Sequence, residues 1–311
     1  MYSPRTRDSI AHFLREANMF VDAIETVAAF TRPIHSISRN YASTDVQLGA
    51  ATLFFVNSDG WALTCAHVAK QLQLAEEINK KYEAFKNELA SRKGEKTEKQ
   101  LRKELERKYG YSKRTIVELR NRFMNCIKGE LNIEARLHQT VDIALLKFQS
   151  FDQLLCNKFP VFPKDTSGLK QGKSLCRLGF PFPEFTNFTY DEANDTIRWT
   201  QSGRKDTPRF PIEGMVTRNV KDKGALVAFE LSTPGLRGQS GAPAFDVDGK
   251  VWGMQSRTRH LDLDFDVDQE VIRGGLPKRV QDSAFLHVGI CIHVDILKSF
   301  MQDNGVNFKE G

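Results

Sequence analysis

The chain has 311 residues, 40% of them hydrophobic and 27% charged, with a formal net charge of +6. That length and composition allow a substantial core and exclude disordered and collagen-like classes. No stretch approaches the roughly eighteen apolar residues that span a bilayer, and the opening MYSPRTRDSIAHFLREAN has no continuous apolar run beside its basic residues, so neither membrane spanning nor secretion is expected.

The five cysteines, Cys65, Cys126, Cys156, Cys176 and Cys291, are odd in number and have no paired spacing. A disulfide framework is therefore a poor reading, and reduced thiols in a cytoplasmic protein are expected. The basicity is local: residues 71–130 hold sixteen Lys and Arg against ten Asp and Glu, and the remainder holds twenty-nine of each.

In chain order, Ile10, Phe13, Leu14, Phe20, Val21, Ile24 and Val27 recur at helical spacing and Pro33 follows as a stop. This predicts an amphipathic helix in residues 1–33, packed on a main domain of residues 34–311. From residue 34 the texture becomes short β-rich runs: HSIS, ATLFFV, the turn Asn57-Ser58-Asp59-Gly60, then WALTCAHV.

A charged helical insertion is expected over about residues 71–128. Leu74, Ile78, Tyr82, Phe85 and Leu89 form one stripe, while Leu101, Leu105 and Tyr109, then Ile116, Phe123 and Ile127, form others, with breaks at Gly94 and Gly110. Its charges are most simply a solvated face; the sharper reading is a docking arm for a regulatory protein partner. Clustered Lys and Arg could also meet nucleic acid, but the interspersed acids weigh against it.

Strand candidates follow: LNIEARL, DIALLKF, SLCRLGF, TIRWTQ, MVTRNV, ALVAFEL, APAFDV, KVWGMQS and FLHVGICIHV, with a final helix near Val294–Met301. Many short strands at regular intervals suggest barrels. In LDLDFDVDQE, acids alternate with Leu261, Leu263, Phe265 and Val267, as in a half-exposed strand with those four inward.

Acyl transfer by a serine needs an imidazole to take its proton, a carboxylate to orient that imidazole and N–H donors for the oxyanion. Gly238-Gln239-Ser240-Gly241-Ala242-Pro243 puts glycines on both sides of a serine, which allows a tight turn of converging N–H groups. Leu63-Thr64-Cys65-Ala66-His67-Val68 supplies a histidine at a hairpin end, and Asp142 begins an apolar strand. An α/β-hydrolase elbow fits neither the residues after Ser240 nor the order His, Asp, Ser.

With FFVNSDGWALTCAHV, VDIALLKF, LGFPFP, GLRGQSGAPAFDVDGKVWGMQS and HVGICIHV, the chain resembles the trypsin-like serine peptidases, and among them the bacterial HtrA/Deg-like branch, over about residues 45–70 and 130–300. The resemblance implies a mainly β fold of two six-stranded β-barrels of the chymotrypsin type, and endopeptidase activity. His67 would be the general base, Asp142 its orienting acid, Ser240 the nucleophile, and the N–H groups of Gly238 and Ser240 the oxyanion hole. Gln239 stands where zymogens carry an activating Asp, and Val68 where secreted members carry a Cys. Because the recognisable domain ends close to residue 311, no PDZ module is expected. The insertion occupies the interval of two first-barrel strands, of which LNIEARL supplies one and the other is unplaced.

By the same alignment the primary pocket lies near Pro234, Ser256, Arg257, Thr258 and Gly289, without a basal carboxylate. A small or medium apolar side chain before the cleaved bond is the default expectation; the alternative is an acidic one, favoured by Arg257. The other histidines lack metal-ligand spacing and no phosphate loop appears, so neither cofactor nor metal is predicted. The alternative function is a latent or pseudo-protease scaffold acting through the insertion.

Overall fold

A computed structural model describes residues 19–311. Ile10, Phe13 and Leu14, in the first half of the expected N-terminal helix, lie outside them. The second half is helix α1 (Val21–Ala28), which buries Ala23 and Val27 on the body. Phe20, just before it, packs edge-on against Phe245 with ring centroids 6.2 Å apart.

Strands β1 (Thr31–Asn40), β2 (Val46–Phe55) and β3 (Trp61–Thr64) are followed by helices α2 (Ala66–Ser91) and α3 (Glu98–Tyr109). Strands β4 (Ile116–Phe123), β5 (Ile127–Leu137) and β6 (Ala144–Leu154) complete a six-stranded sheet in the order β4-β1-β2-β3-β6-β5. The turn between β2 and β3 is set by Asn57, whose side-chain oxygen accepts from the Asp59 N–H at 3.1 Å, and by Gly60 at φ +84°.

Next come β7 (Val161–Phe162), β8 (Ser174–Gly179), the small hairpin β9 (Phe188–Asp191) and β10 (Thr196–Trp199), then β11 (Phe210–Asp222), β12 (Ala225–Leu231), β13 (Pro243–Phe245), β14 (Val251–Arg273) and β15 (Leu276–His293). Strands β11-β12-β15-β14-β13-β8 close a six-stranded barrel. Helix α4 (Val294–Asp303) caps the chain, and β16 (Lys309–Glu310) returns to pair with β7. The fold is thus mainly β and chymotrypsin-like. One core joins the first sheet to α1, α4 and the barrel residues Phe245, Val251, Met254 and Ile292; a second, with Leu175, Phe229, Leu231 and Trp252, fills the closed barrel.

Two expectations are corrected. Residues 116–123 are not helical: they form β4, antiparallel to β1 with Ile34 opposite Phe123. Their apolar spacing fits a helix, but Val117 and Leu119 face inward two residues apart, and the free edge of β1 needs a hydrogen-bonding partner. The helical insertion is therefore 66–109, and β4 is the first-sheet strand that the motifs left unplaced. Nor do Leu263 and Phe265 point inward; they are 46% and 57% exposed. The strand runs past the barrel, and a register shift between Asp262 and Asp266, with Asp264 at φ +56°, turns its faces.

The helical arm covers the sheet edge. Asn79 of α2 donates to Leu119 O at 2.8 Å and accepts from Leu119 N–H at 3.0 Å, satisfying the outer backbone groups of edge strand β4. Gly110 closes α3 in the left-handed region at φ +70°, and Thr97 with Gln100 forms its capping box. No helix among the described residues is long and apolar enough to cross a membrane. All five cysteines are free and buried.

Candidate active site

The site lies where the first sheet meets the closed barrel. Thr52 of β2 pins the Ser240 turn: its N–H donates to Ser240 O at 3.0 Å and its hydroxyl to Gly238 O at 2.7 Å. Both flanking glycines are required. Gly238 sits at φ +95° and a Cβ there would strike Phe180 O; Gly241 sits at φ +89° and a Cβ would strike Thr52 O.

Gln239 is fully buried. Its side chain accepts from the Leu236 N–H at 3.1 Å and donates to Phe210 O at 3.3 Å, so neutral partners within the fold satisfy this position. Among the described residues neither the Gly238 nor the Ser240 N–H donates to another backbone group.

His67 stands in the first turn of α2, directly after β3. Asp142 lies two residues before β6, which pairs with β3 with Thr64 opposite Ala144. This pairing brings the imidazole to the carboxylate: His67 Nδ1 is 2.9 Å from Asp142 Oδ2 and 3.1 Å from Oδ1. Asp142 Oδ1 also accepts from the His67 backbone N–H at 3.0 Å, satisfying one of the open donors at the start of α2.

A third donor is Ser256, whose hydroxyl gives a 2.6 Å hydrogen bond to Asp142 Oδ2. Burial alone would raise the Asp142 pKa, but hydrogen bonds from the His67 ring, the Ser256 hydroxyl and the His67 N–H outweigh it and hold the carboxyl below its usual range. Ser240 Oγ donates to Ser256 O at 3.4 Å, and among the described residues it makes no hydrogen bond to His67.

Cys65, His67 and Asp142 bring three potential metal-ligand atoms within 4.8 Å of one another. The chemistry of the donors disfavours a metal. The Cys65 Sγ–H donates to Gln255 O at 3.3 Å, and burial first, then the Asp142 charge, push its pKa well up, so it is a thiol rather than a thiolate.

Pro234, Ser256, Arg257 and Thr258 line a cavity of about 490 Å³ together with Ser240. Gly289 is buried behind that wall, opposite Thr258, with its N–H donating to Thr233 O at 2.8 Å. Motif reading missed Arg237, His260 and His287, which also line the cavity. The histidines are direct cross-strand partners with Nδ1 atoms 2.6 Å apart, a pairing visible only once the β14–β15 register is known.

A family model described as a trypsin-like peptidase domain matches residues 51–254. The chain belongs to the trypsin-like peptidase family. No curated protein matches it significantly. Among solved structures it is similar to one titled "HtrA-type protease AlgW with tripeptide", at 10% sequence identity and a TM-score of 0.44, with 91% of this chain and 62% of that one covered. The chain thus spans less than two thirds of that protein's length, and the likeness is too loose to carry more.

Proposed function

We propose that this trypsin-like peptidase is a serine endopeptidase working through an acyl-enzyme. Ser240 Oγ attacks the peptide carbonyl, His67 takes the Ser240 proton and delivers it to the leaving amine, and water then releases the acid product by the reverse steps. Asp142 orients the ring, and the unengaged N–H groups of Gly238 and Ser240 receive the oxyanion.

The observation that carries this reading is the His67–Asp142 pair. With Asp142 accepting at Nδ1, the neutral imidazole has its proton there and a lone pair on Nε2 for the serine. Serine–histidine hydrogen bonds in unliganded sites are often long and tighten only with substrate bound, which agrees with Ser240 Oγ resting on Ser256 O. A regulatory partner meeting the helical arm would find its charged face, because Tyr82, Phe85, Leu101 and Leu105 are buried in the arm's own cluster.

Intact-mass analysis after incubation with a fluorophosphonate tests the reading. A single adduct, lost in Ser240→Ala and strongly slowed in His67→Ala, is expected. A folded wild-type chain that takes no adduct and cleaves no unfolded protein would favour a latent scaffold instead.

A further inference from the structure

Among the described residues, one buried cation has no counter-charge, and it stands beside the cavity that holds Ser240. Arg177 of β8 is fully buried. Its Nη1 donates to Gln255 Oε1 at 2.6 Å and its Nη2 to Thr233 O and Oγ1 at 3.1 and 2.5 Å, all neutral acceptors. Among the described residues its Nε has no partner, and burial pulls its pKa down. The other deeply buried arginine, Arg39, has Glu118 at 2.7 Å. An ion taken out of water without an opposite charge is costly, so the missing carboxylate of Arg177 asks for an explanation.

Only one amide and glycine backbone separate this guanidinium from the cavity. Gln255 lines the cavity, accepts from Arg177, and donates through Nε2 to Arg257 O at 2.9 Å. A Cβ on Gly289 would strike Arg177 Nη1, and one on Gly235, itself a lining residue, would strike the Gln255 amide. The lining includes the cationic side chains Arg237 and Arg257 and the imidazoles of His260 and His287, and among the described residues it includes no carboxylate. A charge held in low dielectric acts past one intervening side chain with little screening.

We propose that this cavity selects an acidic side chain, glutamate or aspartate, on the residue whose carbonyl Ser240 attacks. The inference rests on the peptidase reading and specifies its substrate class. The substrate carboxylate supplies the charge that Arg177 lacks, Arg257 and Arg237 offer direct N–H donors at the rim, and an isosteric glutamine satisfies neither requirement.

The test compares kcat/KM of the full chain on peptides identical except for Glu, Gln, Leu or Lys at that residue, with fluorophosphonate labelling of Ser240 in parallel. Glutamate is expected to exceed glutamine by roughly ten- to hundredfold, the range for a hydrogen bond to a charged group. The Glu/Gln ratio is expected to fall several-fold in Arg257→Gln and in Arg177→Met. Because the ratio is internal to each preparation, partial loss of folded protein cancels, and if Arg177→Met does not fold, Arg257→Gln and a salt titration of the ratio decide.

Equal or faster cleavage after Gln or Leu, with Ser240 labelled, overturns acidic selection and leaves the peptidase standing. A ratio unchanged in both variants and in salt overturns the residue assignment. If neither an adduct nor cleavage appears, the peptidase reading falls and takes this inference with it.

Discussion

The helical arm of residues 66–109 and the ribbon formed by the outer ends of β14 and β15 both leave the frame of the two sheets, yet one carries a core and the other does not. In the arm, Tyr82, Phe85, Leu101 and Leu105 pack on Tyr41 and Val117, with the Tyr41 and Phe85 rings edge to face at 5.6 Å. In the ribbon, Phe265, Ile272 and Leu276 are 57%, 78% and 72% exposed. Helices satisfy their backbone internally and can fold one apolar stripe onto another and onto a sheet edge. A two-stranded ribbon has two faces and nothing of its own to lay over either.

The arm is also tied to the proposed chemistry, since α2 begins at the candidate site and Asp142 bonds both the ring and the backbone N–H of His67. The largest effect expected among the contacts that tie the arm to the site is therefore Asp142→Asn. It should lower kcat/KM by about 10⁴-fold through loss of the correct imidazole tautomer, measured on any cleaved peptide. A loss of less than tenfold would show that this contact serves the start of the helix rather than the reaction.

Within the arm, Phe85→Ala should cost about 3–5 kcal/mol in denaturant unfolding, the usual range for an aromatic removed from a closed cluster. If instead only a local, non-cooperative loss of helix is seen, the arm folds as a unit separate from the sheets.

A smaller effect belongs to the sheet on which the arm rests. His35 of β1 is buried against Phe185 at 4.2 Å between ring centroids, with Nε2 bonded to the Thr207 hydroxyl at 2.8 Å. Burial, and secondly the Arg122 charge, lower its pKa from 6.5 to about 4. Between those values the unfolded chain binds a proton that the native chain does not. Stability is therefore complete above pH 6.5 and declines as pH falls toward 4, by about 2 kcal/mol at pH 5 from this group. His35→Gln should flatten that part of the stability–pH curve; an unchanged slope would assign it to other groups.

The smallest effect is expected on the ribbon, where Phe265→Ser should change stability by no more than about 0.5 kcal/mol. A larger loss would mean that another surface covers the ribbon in solution, which sedimentation of the two variants would reveal.

Motif reading reached furthest where a residue type is dictated by local geometry. Gly238 and Gly241 announce the Ser240 turn because no side chain fits there, Asn57 and Gly60 announce the β2–β3 hairpin, and Gly110 ends α3. It failed at β4, where seven-residue spacing between Ile116 and Phe123 suits a helix and only the open edge of β1 decides for a strand. It failed again in the ribbon, because alternation predicts a strand but not whether anything lies against its apolar face.

The sequence by itself determined the strand-rich frame, the side chains offered at His67, Asp142 and Ser240, and the glycines that such a turn demands, since these follow from residue type and near neighbours. Only the tertiary structure decided that Ser256 is the third donor to Asp142, that His260 stands against His287, and that Arg177 is buried with no carboxylate beside it among the described residues. The histidine pair depends on the register of β14 with β15, and the other two on how strands that share no ladder pack against one another; neither is set by a local run of residues.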